Sequence, residues 1–166
     1  MKYLFILLAM LLVASPAGAT KPETDTFAYW SFAEIADCGD FSVMDEAWVI
    51  EDVKVFYDKG GNFVRSHMKF TAFDDLYRDD DPDGIHLTGT AHLNARVSLD
   101  ENGDALWTQQ GIAIAIVVPG YGPLFLDVGR LVFNMDNDWE LIFSAGKHHD
   151  WNFGEFDALC EYFDQG

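Results

Sequence analysis

The chain has 166 residues, of which 28 are acidic and 10 are Lys or Arg, giving a formal charge of −18. Such a charge argues against nucleic acids and anionic membranes as partners, because their phosphates need Lys and Arg to displace counterions. The length suits a single domain with a sizeable core. The acidic surface favours solubility or adaptation to salt, with cation binding on acidic loops or a basic partner as the alternatives.

The N-terminal segment has the pattern of a secretory signal peptide. Lys2 precedes an apolar run over 4–14, and the small residues Ala17-Gly18-Ala19 follow it. The apolar run is shorter than the roughly 20 residues that span a membrane. We therefore expect cleavage after Ala19, a mature domain over 20–166, and a secreted or periplasmic protein without a membrane span; a retained anchor is the alternative.

Residues 20–40 form an aromatic lead-in, and from about residue 43 the pattern becomes that of β-structure. Residues 85–99 give the clearest signal, since apolar and polar side chains alternate from Ile85 to Leu99 and predict a long strand with one apolar face. Gly, Asn and Asp residues between the apolar runs predict tight turns. The strand candidates are 47–57, 63–73, 85–99, 105–118, 124–134 and 139–146.

The run from Gly111 to Val118 is apolar on both faces, so the strand that it predicts needs cover on both sides. Strict alternation places bulky Ile residues on one face and small residues on the other. The small face would leave room for a ligand inside a barrel. Its members are Gly111, Ala113 and Ala115, which we predict to line a ligand site.

The tail from Phe153 to Phe163 carries apolar residues at helical spacing, which predicts a short amphipathic helix that could cover the 111–118 strand. Cys38 and Cys160 are the two cysteines of the chain. An even pair in an exported protein predicts one disulfide, here between the start and the end of the domain.

Long antiparallel strands joined by short turns, each with one apolar face, predict an all-β meander. We expect it to close into a small antiparallel β-barrel, because closure removes exposed sheet edges. A β-sandwich is the alternative.

Several short motifs follow one another in the order of a known group of proteins. They are Cys38-Gly39 with Phe41 close behind, Thr88-Gly89, Pro119-Gly120-Tyr121-Gly122, Asp127-x-Gly129-Arg130, Gly146-x-His148 and Cys160. In this order the chain resembles a group of small secreted bacterial β-domains. It departs from the group at Cys38-Gly39-Asp40-Phe41, where the aromatic residue should follow the glycine directly. The resemblance implies a β fold and export, and it transfers no catalytic residue.

The arrangement of long strands is also similar to that of the allene oxide cyclase and dirigent barrels. Those barrels bind apolar small molecules and direct their cyclisation or coupling. The similarity concerns the fold, and a shared fold does not fix a function.

Two segments are candidates for metal binding. Asp79, Asp81 and Asp83 alternate before Gly84 as in the first half of a calcium loop, but the twelfth position is Thr90 and strand follows, so this is no EF-hand. A solvated acidic turn is the simpler interpretation, with Ca²⁺ as the one cofactor to consider. The other segment, His148-His149-Asp150, offers ligands for a transition metal, as would two of His67, His86 and His92 on neighbouring strands.

Asp127 and Arg130 have opposite parity on one predicted strand, so they should face opposite sides unless a bulge at Gly129 intervenes. An ion pair or cross-strand hydrogen bonds are their ordinary roles. A sharper hypothesis makes Arg130 a ligand-binding residue, with Asp127 and Tyr121 as catalytic candidates, because a buried Asp can act as a general acid. No nucleophile motif is present, and most tryptophans should pack in the core.

These patterns favour an exported β-domain that binds a small hydrophobic molecule or acts as an extracellular interaction module. The alternative is a cofactor-free isomerase or cyclase of the allene-oxide-cyclase type. A third hypothesis is a ligand-free homo-oligomer built on the 111–118 strand.

Overall fold

A computed structural model describes residues 21–118, 122–148 and 156–165. The predicted signal peptide, Tyr121 and the His149-Asp150 pair lie outside these residues. The described elements are β1 (Glu23–Asp37), β2 (Ser42–Tyr57), β3 (Phe63–Arg78), β4 (Leu87–Leu99), β5 (Ala105–Val118), β6 (Gly122–Asn134), β7 (Glu140–Lys147) and the helix α1 (Asp157–Asp164).

The seven strands form one antiparallel sheet in which each strand pairs with the next along the chain. The predicted all-β meander, with its C-terminal helix and its disulfide, is therefore confirmed. Strands β1 and β7 lie at the two edges of the sheet and do not pair with each other in the described residues. The sheet is open, so closure into a barrel stays a prediction.

Strand β1 occupies the segment that the sequence indicated only as a lead-in. Its alternation is hidden because aromatic residues point to both faces: Tyr29 lies opposite Val49, whereas Trp30 lies opposite Trp48. Both aromatic side chains are exposed. An edge strand with little burial on either face lacks the polar–apolar alternation that identifies a strand in a sequence.

One face of the sheet, here called the core face, carries the buried apolar side chains, and the opposite face is called the outer face. The main cluster gathers side chains from six strands and from α1, and Leu76, Ile116 and Phe163 are among its fully buried members. A smaller cluster of Ala and Val residues lies on the neighbouring rows of β2, β3 and β4. The core therefore lies at the end of the sheet where the helix packs.

A β-bulge in β5 overturns the predicted small face of this strand. Gly111 pairs with Leu93, but Ala115 pairs with Thr90, and the register shifts between these two pairs. The extra residue at the bulge reverses the alternation, so Gly111 and Ala115 face opposite sides of the sheet. Ile114 and Ile116 then point into the core. The expectation that Gly111, Ala113 and Ala115 form one face was wrong, because a segment that is apolar on both sides gives no sign of a bulge.

Three glycines form a row across β5, β6 and β7, with Gly129 paired to Gly111 on one side and to Gly146 on the other. All three have positive φ, between 124° and 150°. A Cβ atom on any of them would collide with a carbonyl oxygen of the neighbouring strand. Such a row lets the backbones of the three strands approach closely.

The helix is held against the sheet by apolar contacts and by a covalent bond. Leu159 and Phe163 are fully buried among residues of the main cluster. The disulfide joins Cys38 and Cys160 across 122 residues, with 5.5 Å between their Cα atoms. It is compatible with an extracellular or periplasmic location. None of the helices in the described residues has the length and hydrophobicity that a membrane crossing requires.

Candidate functional site

A cavity of about 410 Å³ lies on the core face, between the sheet and the residue that precedes α1. Its walls combine apolar and acidic side chains. At one side Phe125 and Phe156 stack with 5.4 Å between ring centroids. The lining residues are Glu34, Ile35, Asp45, Asp74, Ala113, Ile114, Phe125 and Phe156.

The sheet register brings two of these carboxyl groups together. Asp45 lies opposite Leu76, and Asp74 lies opposite Ala47, so the two aspartates are diagonal neighbours on the core face. Gly89 is the partner of Asp74 on β4. A Cβ atom at Gly89 would lie 3.3 Å from Asp74 Oδ2, so the glycine gives this carboxyl group its space.

Both aspartates hold their protons more tightly than usual. Burial, followed by the negative charges of Asp74 and Asp75, raises the pKa of Asp45 to about 7. Burial likewise raises the pKa of Asp74. Asp45 Oδ1 and Asp74 Oδ2 are buried and have no hydrogen-bond partner among the described residues. The cavity therefore carries two polar atoms whose hydrogen-bonding capacity the protein leaves unused.

This combination has a clear chemical capacity. The apolar walls favour a hydrophobic ligand, and a small number of polar groups in such a cavity fix the orientation of the ligand. A protonated carboxyl group donates a hydrogen bond, and an ionised one accepts. With a pKa of about 7, Asp45 does either near neutral pH.

Asp127, the predicted catalytic candidate, lies in a second polar site. It is buried and its Oδ1 is 2.9 Å from Nδ1 of His148, which is also buried. The other ring nitrogen, Nε2, donates to the carbonyl oxygen of Ala145 at 3.1 Å. The two side chains therefore satisfy part of each other's hydrogen-bonding capacity in a buried position.

The Asp127–His148 pair brings the Asp127-x-Gly129 and Gly146-x-His148 motifs into contact across β6 and β7. Neither side chain is among the residues that line the cavity on the core face. Both ring nitrogens of His148 are engaged within the protein. The geometry thus favours a structural link at this position, and a catalytic role for Asp127 stays a prediction.

The remaining predicted residues are scattered. Arg130 pairs with Gln110 and lies on the outer face. Asp127 lies on the opposite face, as the opposite parity of the two residues predicted. His67 and His92 also lie on the outer face, whereas His86 contacts Asp75 at 3.0 Å.

The acidic loop forms a turn in which the side chains serve the protein itself. Asp79 accepts a hydrogen bond from the Ser42 amide, and Asp80 forms an ion pair with Arg78 at 2.8 Å. No three His, Cys, Asp or Glu side chains in the described part of the chain are placed to hold a metal ion. Calcium binding by Asp79, Asp81 and Asp83 therefore stays a prediction without structural support.

Comparisons of the chain with protein-family models, with curated proteins and with solved structures found no match. The resemblance to secreted bacterial β-domains and the similarity to the cyclase barrels therefore stay predictions. Sequence reasoning also missed Asp45 and Asp74. A signal was present, since Asp45 shares the parity of buried Val43 and Ala47, and Asp74 that of Ala72 and Leu76.

Proposed function

We propose that this protein is an exported β-domain that binds a small, largely apolar molecule in the cavity lined by Asp45 and Asp74. The supporting observation is the combination of apolar walls with two buried carboxyl oxygens that lack a protein partner. Leaving such atoms unpaired costs about 1–3 kcal/mol each, a cost that a ligand with one or two polar groups would offset. The ligand class is a hydrophobic molecule with a carbonyl, hydroxyl or amine group.

The proposal is tested with a neutral fluorescent probe, N-phenyl-1-naphthylamine, and with native mass spectrometry of the exported protein before and after denaturation. We expect probe fluorescence to increase on binding. Ala113→Trp, which fills the cavity, should weaken binding by roughly tenfold or more, since lost burial of a drug-sized ring system is worth over 1.4 kcal/mol. Val117→Trp is the matched control, because Val117 lies on the same strand and is exposed.

Unchanged probe binding in a folded Ala113→Trp variant would contradict the proposal. A second variant, Asp74→Asn, keeps the side-chain volume and replaces the carboxyl group with an amide. A co-purifying molecule that is released by denaturation would identify the ligand class directly.

A second candidate is a cofactor-free isomerase or cyclase, favoured by the pKa of about 7 at Asp45. A general acid works best when its pKa is near the working pH, and a carboxylic acid in an apolar cavity can protonate a ligand oxygen. An isomerisation leaves the mass of the ligand unchanged but alters its chromatographic retention. The enzyme hypothesis expects this change with the wild-type protein, and its loss, with binding retained, in Asp45→Asn.

A further inference from the structure

The outer face of the sheet concentrates positive charge on a strongly acidic protein. Six of the ten Lys and Arg residues of the chain lie on four neighbouring cross-strand rows of this face. On the same rows of β2 to β7 the register places two carboxylates, and each accepts a hydrogen bond from a neutral group: Asp52 from the Thr26 hydroxyl and Glu140 from the Asn137 side-chain amide. We call the following residues the cationic patch: Lys54, Arg65, Lys69, Arg96, Arg130 and Lys147.

Within the part of the chain that the structure describes, no ion pair neutralises a cation of the patch. In the described residues, the ion pairs join Arg78 to Asp80, His86 to Asp75 and His148 to Asp127, and none includes a residue of the patch. Two patch arginines instead lie over aromatic rings, Arg65 at 4.6 Å from the centre of Phe56 and Arg130 at 5.5 Å from that of Phe143. A ring face orients a guanidinium group while leaving its edge donors free.

The pKa of His67 reflects the positive charge of the side chains around it. Its pKa lies below the ordinary value because of partial burial and, in addition, because Arg65, Arg96 and Lys54 repel a proton on its ring. The charges of the patch therefore act together on one position of the outer face.

A groove of about 530 Å³ runs through the patch. Arg96 and Arg130 stand at its sides, and neutral amide and hydroxyl groups lie between and beside them. Guanidinium groups bind carboxylates and sulfates in a two-pronged manner, and amides and hydroxyls match the hydroxyl groups of sugars. The polar residues that line the groove are His67, Asn94, Arg96, Ser98, Thr108, Gln110 and Arg130.

We propose that this groove binds a short anionic oligosaccharide, with Arg96 and Arg130 holding its carboxylate or sulfate groups. A short ligand lies within a Debye length, about 10 Å at 0.1 M salt, of the patch and interacts with the local positive charge. An extended polyanion or an anionic membrane also meets the remaining acidic surface, which repels it. The site is separate from the cavity on the core face.

Isothermal titration calorimetry with three sugars tests the proposal: trigalacturonate, a sulfated disaccharide and neutral maltotriose. We expect at least one of the two charged sugars to bind, with an affinity that falls as NaCl is raised, and maltotriose not to bind. The carboxylate and sulfate arms identify the anionic group. Removing both guanidinium groups in Arg96→Gln/Arg130→Gln should weaken binding roughly tenfold or more, because the charge-assisted hydrogen bonds to the anionic groups are lost.

The matched control is Lys21→Gln/Lys59→Gln, which removes the same charge outside the patch and should leave affinity within about twofold. The conservative variant Arg96→Lys/Arg130→Lys should retain part of the affinity. N-phenyl-1-naphthylamine binding, which reports on the other cavity, should be equal in all variants. The proposal is overturned if neither charged sugar binds at millimolar concentration, or if maltotriose binds equally well. It is also overturned if the control variant loses as much affinity as Arg96→Gln/Arg130→Gln. Binding of phosphatidylglycerol vesicles in preference to the sugars would overturn it as well.

Discussion

Burial of Asp45 and Asp74 works against stability at neutral pH, because an ionised carboxylate away from water lacks the solvation that it has in the unfolded chain. Neither side chain has an ion-pair partner among the described residues. Asp127 differs, since His148 faces it directly. Asp127 thus has a buried partner for Oδ1, although its Oδ2, like Asp45 Oδ1 and Asp74 Oδ2, has no hydrogen-bond partner among the described residues.

The pH dependence of stability should reveal Asp45. Its folded-state pKa of about 7 lies above the ordinary 3.8, so the folded protein retains a proton that the unfolded chain releases. This contribution is fully present below pH 3.8 and is lost as the pH rises through 7. We expect Asp45→Asn to be more stable than the wild type at pH 8 by about 1–2 kcal/mol, less than full burial would give because the site is partly exposed.

Urea denaturation from pH 4 to pH 8 measures this effect as the difference between variant and wild type. Asp58, Asp80 and Asp100 do not interfere, because their lowered pKa values place their titration below that range. Asp40→Asn, in the exposed turn before β2, is the control. Parallel pH profiles for wild type and Asp45→Asn would show that the carboxyl group is not protonated in the folded protein.

Two features of Gly129 exclude a larger residue: its positive φ and the lack of space for a Cβ atom. Its φ is 150°, and an added Cβ would collide with the Ala145 carbonyl and lie 2.7 Å from Nε2 of His148. Gly129→Ala should therefore lower the free energy of unfolding by roughly 2–4 kcal/mol. Gly103→Ala is the matched control, since it also has positive φ but has open space around it, and should cost about 1 kcal/mol. Equal losses in chemical denaturation would mean that the glycine row does not constrain the sheet.

The strands show what a sequence does and does not reveal. Strand β4 was predicted almost in full, because one of its faces is polar and exposed and the other is buried or half-buried from Leu87 to Ala95. The bulge in β5 and the strand β1 were not, since neither shows alternation. The cavity and the groove are each lined by residues from strands that are far apart in the sequence. Which of these residues share a face of the sheet follows from the strand register. Cys38 and Cys160 were paired correctly because no other cysteine competes.

The helix should depend on its disulfide and its apolar contacts in different ways. Replacing both cysteines in Cys38→Ser/Cys160→Ser frees a loop of 122 residues and should lower stability by about 4–5 kcal/mol in the chain-entropy model. Leu159→Ala, with the disulfide intact, removes a fully buried side chain and should cost about 2–5 kcal/mol. Thermal unfolding with and without a reductant measures both. If the reductant leaves the melting temperature of the wild type unchanged, the covalent link does not stabilise the domain.

The distribution of charge and apolar surface gives the molecule distinct regions. The outer face of the sheet carries the cationic patch, while the core face is covered at one end by α1. The two edge strands, β1 and β7, differ from the outer face and from the core face in how much apolar surface they expose. All eight residues of β7 are exposed, and β1 exposes Phe27, Tyr29, Trp30 and Phe32. Unpaired edges with exposed apolar side chains favour strand pairing with another chain, unless charge prevents it.

We therefore expect the protein to self-associate through the β7 edge, to an extent that rises with concentration and with salt, because screening reduces the repulsion between copies of formal charge −18. Ile142 is half exposed at this edge, and Ile142→Lys should shift sedimentation towards the monomer. Val117→Lys adds the same charge in place of another exposed aliphatic residue, but β5 pairs on both sides. If both variants lower association equally, net charge controls it; only a selective effect of Ile142→Lys would place the contact at the open edge.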